Sequence, residues 1–166
     1  MLRSLLLGLA GLMPLAGCEV PVSGEPSRIE APADSSGIAF SLEGPGGAAI
    51  VVPVSINGGP ERPFVLDTGA TLTCLDAAVA DSLDLPSRPG VRGTGAGIGG
   101  VGSVGIVQAD SFRVGDVTAY DLTICTLDLS AIEGVGLEAD GLVGLNFLTS
   151  FRVGLDFETQ TLTLAP

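Results

Sequence analysis

The 166-residue sequence contains no histidine and no tryptophan, only one tyrosine and three cysteines, and seven basic residues against 19 acidic ones. Each shortage excludes a kind of chemistry. Without histidine there is no Ser-His-Asp triad, no Cys-His dyad and no His-ligated zinc site. Cys18, Cys74 and Cys125 are too few and too scattered for a structural zinc site built from four thiolates. A formal net charge of −12 repels phosphates and anionic head groups, so nucleic acid is not an expected partner. No apolar run reaches the length of about 20 residues that a membrane-spanning helix needs. Neither a metal nor an organic cofactor is implied. Carboxylates, hydroxyls, a few amines and the backbone are what remain for catalysis.

Glycine is abundant, at 25 residues, and short strand-like runs outnumber helical patterns, which points to a small all-β domain with tight turns. Residues 1–17 are different. A positive start, an apolar run from Leu5 to Leu15 and small residues before a cut are the features of an export signal. Leu15-Ala16-Gly17-Cys18 resembles the lipobox of bacterial lipoproteins. That resemblance implies cleavage before Cys18, lipidation of its sulfur and an envelope protein facing the periplasm. Glu19 after the cysteine implies the outer membrane. Residues 18–36 are rich in Pro, Ser, Glu and Ala and read as a flexible tether spanning about 25 Å. The globular part is then expected over 37–166.

Within it, Ile50–Ile56 is a β-branched strand, Asn57-Gly58-Gly59 a tight turn and Pro63–Leu66 a returning strand that runs straight into Asp67-Thr68-Gly69-Ala70-Thr71. Leu72–Leu75 follows as a strand, and Asp76 caps a short helix that Pro86 terminates. Apolar strand, Asp-Thr-Gly-Ala, apolar strand and short helix together resemble the active-site segment of retropepsin-like aspartic proteases. A second motif, Gly141-Leu142-Val143-Gly144 leading into Leu145–Leu148, resembles the family's strand that passes beneath the catalytic loop. The resemblance covers most of 48–164, ending in a closing hairpin made by 151–157 and 161–164. It implies a closed retropepsin-like acid protease barrel with one or two short helices and a Gly-rich flap. It further implies an aspartic endopeptidase acting on extended peptide or protein segments, with Asp67 as the catalytic residue. Thr68, Gly69 and Ala70 would support the active-site loop, Leu142 and Val143 would buttress it, and Gly144 would allow close chain crossing. Asn146 stands where relatives often carry Asp, with no expected effect on the chemistry.

One Asp-Thr-Gly in a chain of this length implies a homodimer that pairs two Asp67 carboxylates across a two-fold axis. Ala70 cannot hydrogen-bond the carboxylate as Ser or Thr would, so activity is expected to extend towards mildly acidic or neutral pH. Gly95 to Gly100 satisfies Gly-x-Gly-x-x-Gly, but a dinucleotide site needs a helix next, and Ser103–Gln108 has strand character instead. By position in the family, Gly95, Gly97, Ile98, Gly99 and Gly100 form the flap, a mobile hairpin over the substrate. Ser111–Val114 and Val117–Leu127 are two more strands joined by a Gly115-Asp116 turn. Cys74 and Cys125 lie in strands in a compartment that permits disulfides, and they are either bridged or two buried thiols. The alternative to a protease is a non-catalytic peptide-binding or structural envelope lipoprotein built on the same β-barrel.

Overall fold

In the computed structural model the described residues are 24–32, 37–87, 93–97, 100–130, 134 and 136–166, with the backbone alone described for 93–97 and 100–103. In chain order the elements are β1 (Arg28–Glu30), β2 (Ile38–Ala39), β3 (Ser41–Glu43), β4 (Ala49–Ile56), β5 (Glu61–Leu66), β6 (Cys74–Asp76), α1 (Ala77–Ser82), β7 (Gly93–Gly97), β8 (Gly100–Val114), β9 (Val117–Leu127), β10 (Gly141–Val143), α2 (Leu145–Leu148), β11 (Arg152–Asp156) and β12 (Thr161–Ala165). The ladder runs β9–β6–β10–β5–β4–β8, and β8 pairs back onto β9, so six strands close into a barrel. The all-β barrel with short helices is the architecture the sequence leads one to expect. A smaller sheet of β11, β12 and β2 lies apart from this ladder, and its Leu162, Leu164 and Ile38 join the barrel's core.

Local chemistry explains the joins. β4 and β5 form a hairpin around Asn57 and Gly58, whose φ values of 50° and 70° are the left-handed pair that a two-residue hairpin turn requires. Asn57 secures it further by accepting a hydrogen bond from Ser111 N–H on its side-chain oxygen (3.0 Å). The register sets Pro53 opposite Pro63, so neither ring interrupts a hydrogen-bonded rung. On its other side β4 pairs β3 at 49–51 and β8 at 54–56, and Pro53 falls in the gap between them. The core is aromatic at its centre. Phe64, Phe112 and Phe147 are fully buried and meet edge to face at 5.7 and 5.4 Å.

Two elements differ from the sequence reading. The runs 103–108 and 111–114 belong to one 15-residue strand, β8, which changes partner midway: β7 pairs it up to Val104, and β9 from Gly105 onward. Part of the stretch read as a tether is also structured. Residues 28–30 form β1, antiparallel to β9 with Ile29 opposite Ala119, and Ile29 and Ala31 pack on the core. Composition hides this because β1 is held by ladder bonds to a free edge of β9 rather than by apolar bulk. Residues 1–17 and Cys18 lie outside the described residues.

Candidate active site

β5 is placed by two neighbours. It is antiparallel to β4 and parallel to β10, with Phe64 beside Gly141, Val65 beside Leu142 and Leu66 beside Val143. Asp67 extends the parallel ladder one residue beyond the strand, its N–H donating to Val143 O (3.0 Å). The chain then turns. Gly69 N–H donates to Asp67 Oδ1 (2.8 Å) and Ala70 N–H to Asp67 O (3.3 Å), an aspartate-turn geometry that fixes the half-buried carboxylate. Thr68 and Gly69 are exposed at the tip, and Ala70 is half-buried. Gly69 does not have positive φ. What constrains it is proximity, since a Cβ there would lie 3.2 Å from Asp67 Oδ1.

The loop is stitched to the segment that follows β10. Leu145 N–H donates to Ala70 O (2.8 Å), Asn146 N–H to Thr71 O (3.1 Å) and Gly144 N–H to Thr73 Oγ1 (3.1 Å). Gly144 lies directly on the loop's backbone, and a Cβ would come within 2.4 Å of the Leu72 carbonyl carbon and oxygen. Gly141 is equally crowded, by the Phe64 ring at 2.2 Å and by Cys74 O at 2.5 Å. The two sequence motifs, some 75 residues apart by the roughest count of their positions, are thus one hydrogen-bonded unit.

Asn146 is the residue that sequence reasoning undervalued. It is buried, and its Oδ1 accepts from Thr73 N–H (2.7 Å) while Nδ2 donates to Gly24 O (2.7 Å) and Thr123 O (2.9 Å). One amide therefore joins the Asp67 loop, α2, β9 and the chain before β1. The available signal was a lone polar residue inside the apolar run Leu145-Asn146-Phe147-Leu148, which has to find partners once buried.

Cys74 and Cys125 are bonded as a disulfide, Cα–Cα 4.4 Å, at matched positions of the parallel pair β6 and β9. The bridge ties the strand leaving the active-site loop to the barrel's longest ladder. Leu72, Val104, Ile106 and Leu127 surround it. At the other end of β10, Arg62 and Asp140 form a half-buried ion pair (2.8 Å), and Asp140 N–H donates to Pro63 O (2.8 Å), which fixes where β10 begins. Asp76 caps α1 through Ala78 N–H (2.9 Å) and also accepts from Leu129 N–H (3.1 Å).

β7 and the start of β8 form an antiparallel hairpin from Gly93–Val104 to Gly97–Gly100. It carries Gly95, Gly97 and Gly100; Ile98 and Gly99 lie outside the described residues. Strand against strand is not the strand-to-helix turn of a dinucleotide site. Among the described residues no group of three or more Cys, Asp or Glu could hold a metal ion. A shallow cleft lined by Ile29, Glu30, Ala31, Pro32, Asp116 and Thr118 contains no residue of the Asp67 loop.

A half-buried aspartate at the end of a barrel strand, on a loop clamped from beneath by a parallel strand, defines a class. Residues 52–147, more than half of the chain and both motifs, match the model of the aspartyl protease family, and the chain belongs to it. Among solved structures, it resembles a retropepsin-like aspartic protease from Rickettsia conorii with a TM-score of 0.51. That likeness covers 82% of this chain and 94% of the other at 16% identity, and it shows that the fold is retropepsin-like. No curated protein sequence matches this one.

Proposed function

We propose that this protein is an aspartic endopeptidase that acts as a homodimer, each chain contributing one Asp67. Two such carboxylates facing each other cannot both ionise readily, so the pair shares a proton. One takes a proton from water as the oxygen attacks the peptide carbonyl carbon, and the other gives its proton to the carbonyl oxygen. The Gly69 N–H bond to Oδ1 holds the carboxylate's orientation through this exchange. Thr68 is exposed beside it, and in this reading it meets the partner chain's loop. The substrate is an extended peptide segment lying between the loop and the β7–β8 hairpin, bound largely through its main chain. Cys18 carries a lipid in this reading and holds the enzyme to the outer membrane on its periplasmic side. Tethering raises the local concentration and favours the dimer.

The seat of Asp67 carries this reading: a carboxylate presented at a strand end, with its N–H held by Val143 O and its side chain by Gly69 N–H. The test is cleavage of a diverse peptide library by the full chain, wild type and Asp67→Asn, from about pH 4 to about pH 7, read by mass spectrometry. The oligomeric state is measured in the same samples. Cuts by the wild type, reduced about 1,000-fold or more in Asp67→Asn, are expected. A dimer that binds peptides without cutting them would make this a binding module. A stable monomer that cuts nothing would overturn the dyad.

A further inference from the structure

We propose that the segment Gly24–Glu30 is a positioning strap for the active-site loop, setting the order of Leu72-Thr73 through Asn146 and thereby the turnover rate. This rests on the reading of Asp67 as catalytic. The strap lies outside the six strands that close the barrel, since among the described residues β1 pairs with β9 alone. It is nevertheless wired to the loop. Gly24 is buried, its carbonyl accepts from Asn146 Nδ2 (2.7 Å), and the same amide's Oδ1 holds Thr73 N–H (2.7 Å).

An undocked strap leaves one buried Asn146 N–H without its acceptor and opens a way for water to reach it. The amide can then rotate or solvate at the expense of its bond to Thr73. Packing reinforces the link, because a Cβ at Gly24 would lie 2.5 Å from Leu72 Cδ2 and 3.3 Å from Asn146 Nδ2.

Beyond the short β1 ladder and the packing of Ile29 on the core, the strap is held by surface contacts. Ser27 N–H donates to Tyr120 O (2.9 Å), Tyr120 Oη–H donates to Glu30 Oε2 (2.8 Å), and the Arg28 guanidinium lies 3.7 Å over the Tyr120 ring while pairing with Glu30. Exposed contacts of this kind open far more readily than a barrel strand does. A lightly held segment bonded to a buried pivot is what makes the loop responsive to it. Cys18, the residue proposed to carry the lipid, precedes Gly24 by six positions, so events at the anchor reach the strap first.

The experiment uses the full chain with Glu30→Pro, which removes an N–H from the β1 ladder opposite Thr118. Amide hydrogen exchange is followed at Thr73 and in the strap, and kcat and KM are measured on a peptide cut by the wild type. Thr73 exchange should rise about tenfold or more and kcat should fall roughly three- to tenfold, with KM within about twofold. A synthetic peptide of residues 19–32 should restore both by occupying the vacant edge of β9.

If the strap amides open while Thr73 exchange and kcat keep their wild-type values, the strap is mere packaging and the proposal fails. It fails equally if the peptide occupies β9 and restores neither. Should Glu30→Pro not fold, the pair Glu30→Ala and Tyr120→Phe, on side chains that meet at the surface, is read in the same way. A wild type that cuts nothing would count against the protease reading instead, and Thr73 exchange would still decide the strap.

Discussion

The Asp67 loop and the β7–β8 hairpin both depend on glycine, for opposite reasons. Around Asp67, glycine lets chains touch: Gly144 presses on the Leu72 carbonyl and Gly141 on the Phe64 ring, and Asp67, Leu145 and Asn146 each donate their N–H to a neighbouring carbonyl. In the hairpin, glycine removes side chains from both arms, and β7 has β8 as its one strand partner among the described residues. A catalytic carboxylate has to be held within a fraction of an ångström, and many short bonds do that. An element that closes over a substrate has to open again, and it can have few such bonds.

The comparison is tested most severely by Gly144→Ala. Gly144 has φ −98° and ψ −177°, a conformation open to any residue, so the penalty is purely steric. The obstructing atoms, 2.4 Å away, belong to backbone that cannot rotate aside. The expected loss is about 3 kcal/mol, seen as a fall of roughly 10 °C or more in Tm, together with loss of cleavage.

Gly105→Ala is the counterpart at the root of the hairpin, where Gly105 opposite Thr126 is the first rung of β8 on β9. There a new Cβ would meet Thr126 Oγ1 at 2.5 Å, the end of a side chain that can turn away. Tm should move by less than about 3 °C, while kcat/KM falls several-fold because the hairpin's swing is stiffened. Equal losses of Tm in the two variants would erase the distinction between a fixed floor and a free hairpin.

How much of this was legible in the sequence follows the same division. Motifs that act through their own backbone could be read directly, such as Asp67 at the end of an apolar strand and Asn57-Gly58-Gly59 as a tight turn, while the close crossing at Gly144 came from family likeness. Elements whose meaning lies in a distant partner could not. β8 reads as two strands because Ala109-Asp110 breaks the run between them; what keeps it continuous is the β9 ladder on either side, Ala109 opposite Leu122 and Ser111 opposite Tyr120. β1 has almost no apolar pattern and is fixed by Tyr120, 90 residues from Glu30. Asn146 reads as a neutral replacement, because its partners Gly24, Thr73 and Thr123 are 122, 73 and 23 residues away. The flap's place came from family likeness, since a glycine run carries no periodicity to read.

The smallest expected effect separates the two regions by charge. The hairpin segment 93–103 contains no Asp, Glu, Lys or Arg, so it has nothing to titrate. The floor is joined to a strap that does. The Tyr120 hydroxyl, and then Arg28, hold the Glu30 carboxyl below its usual range, while Asp116 and Thr118 line the cleft beside it. Because the folded value is the lower one, the stabilisation is complete above the ordinary carboxylate value and is lost as pH falls through the depressed one. On acidification below about pH 4, amide exchange in β1 and at Thr73 should therefore rise together, by a few-fold beyond the intrinsic pH dependence of exchange. Glu30→Gln should show the faster exchange at neutral pH and flatten that rise. The amides of β7 should show no such step. Exchange is the right measurement because it reads each backbone amide directly and does not pass through turnover. A step of the same size in β7 would mean that acid loosens the whole domain, and the strap would then have no separate link to the floor.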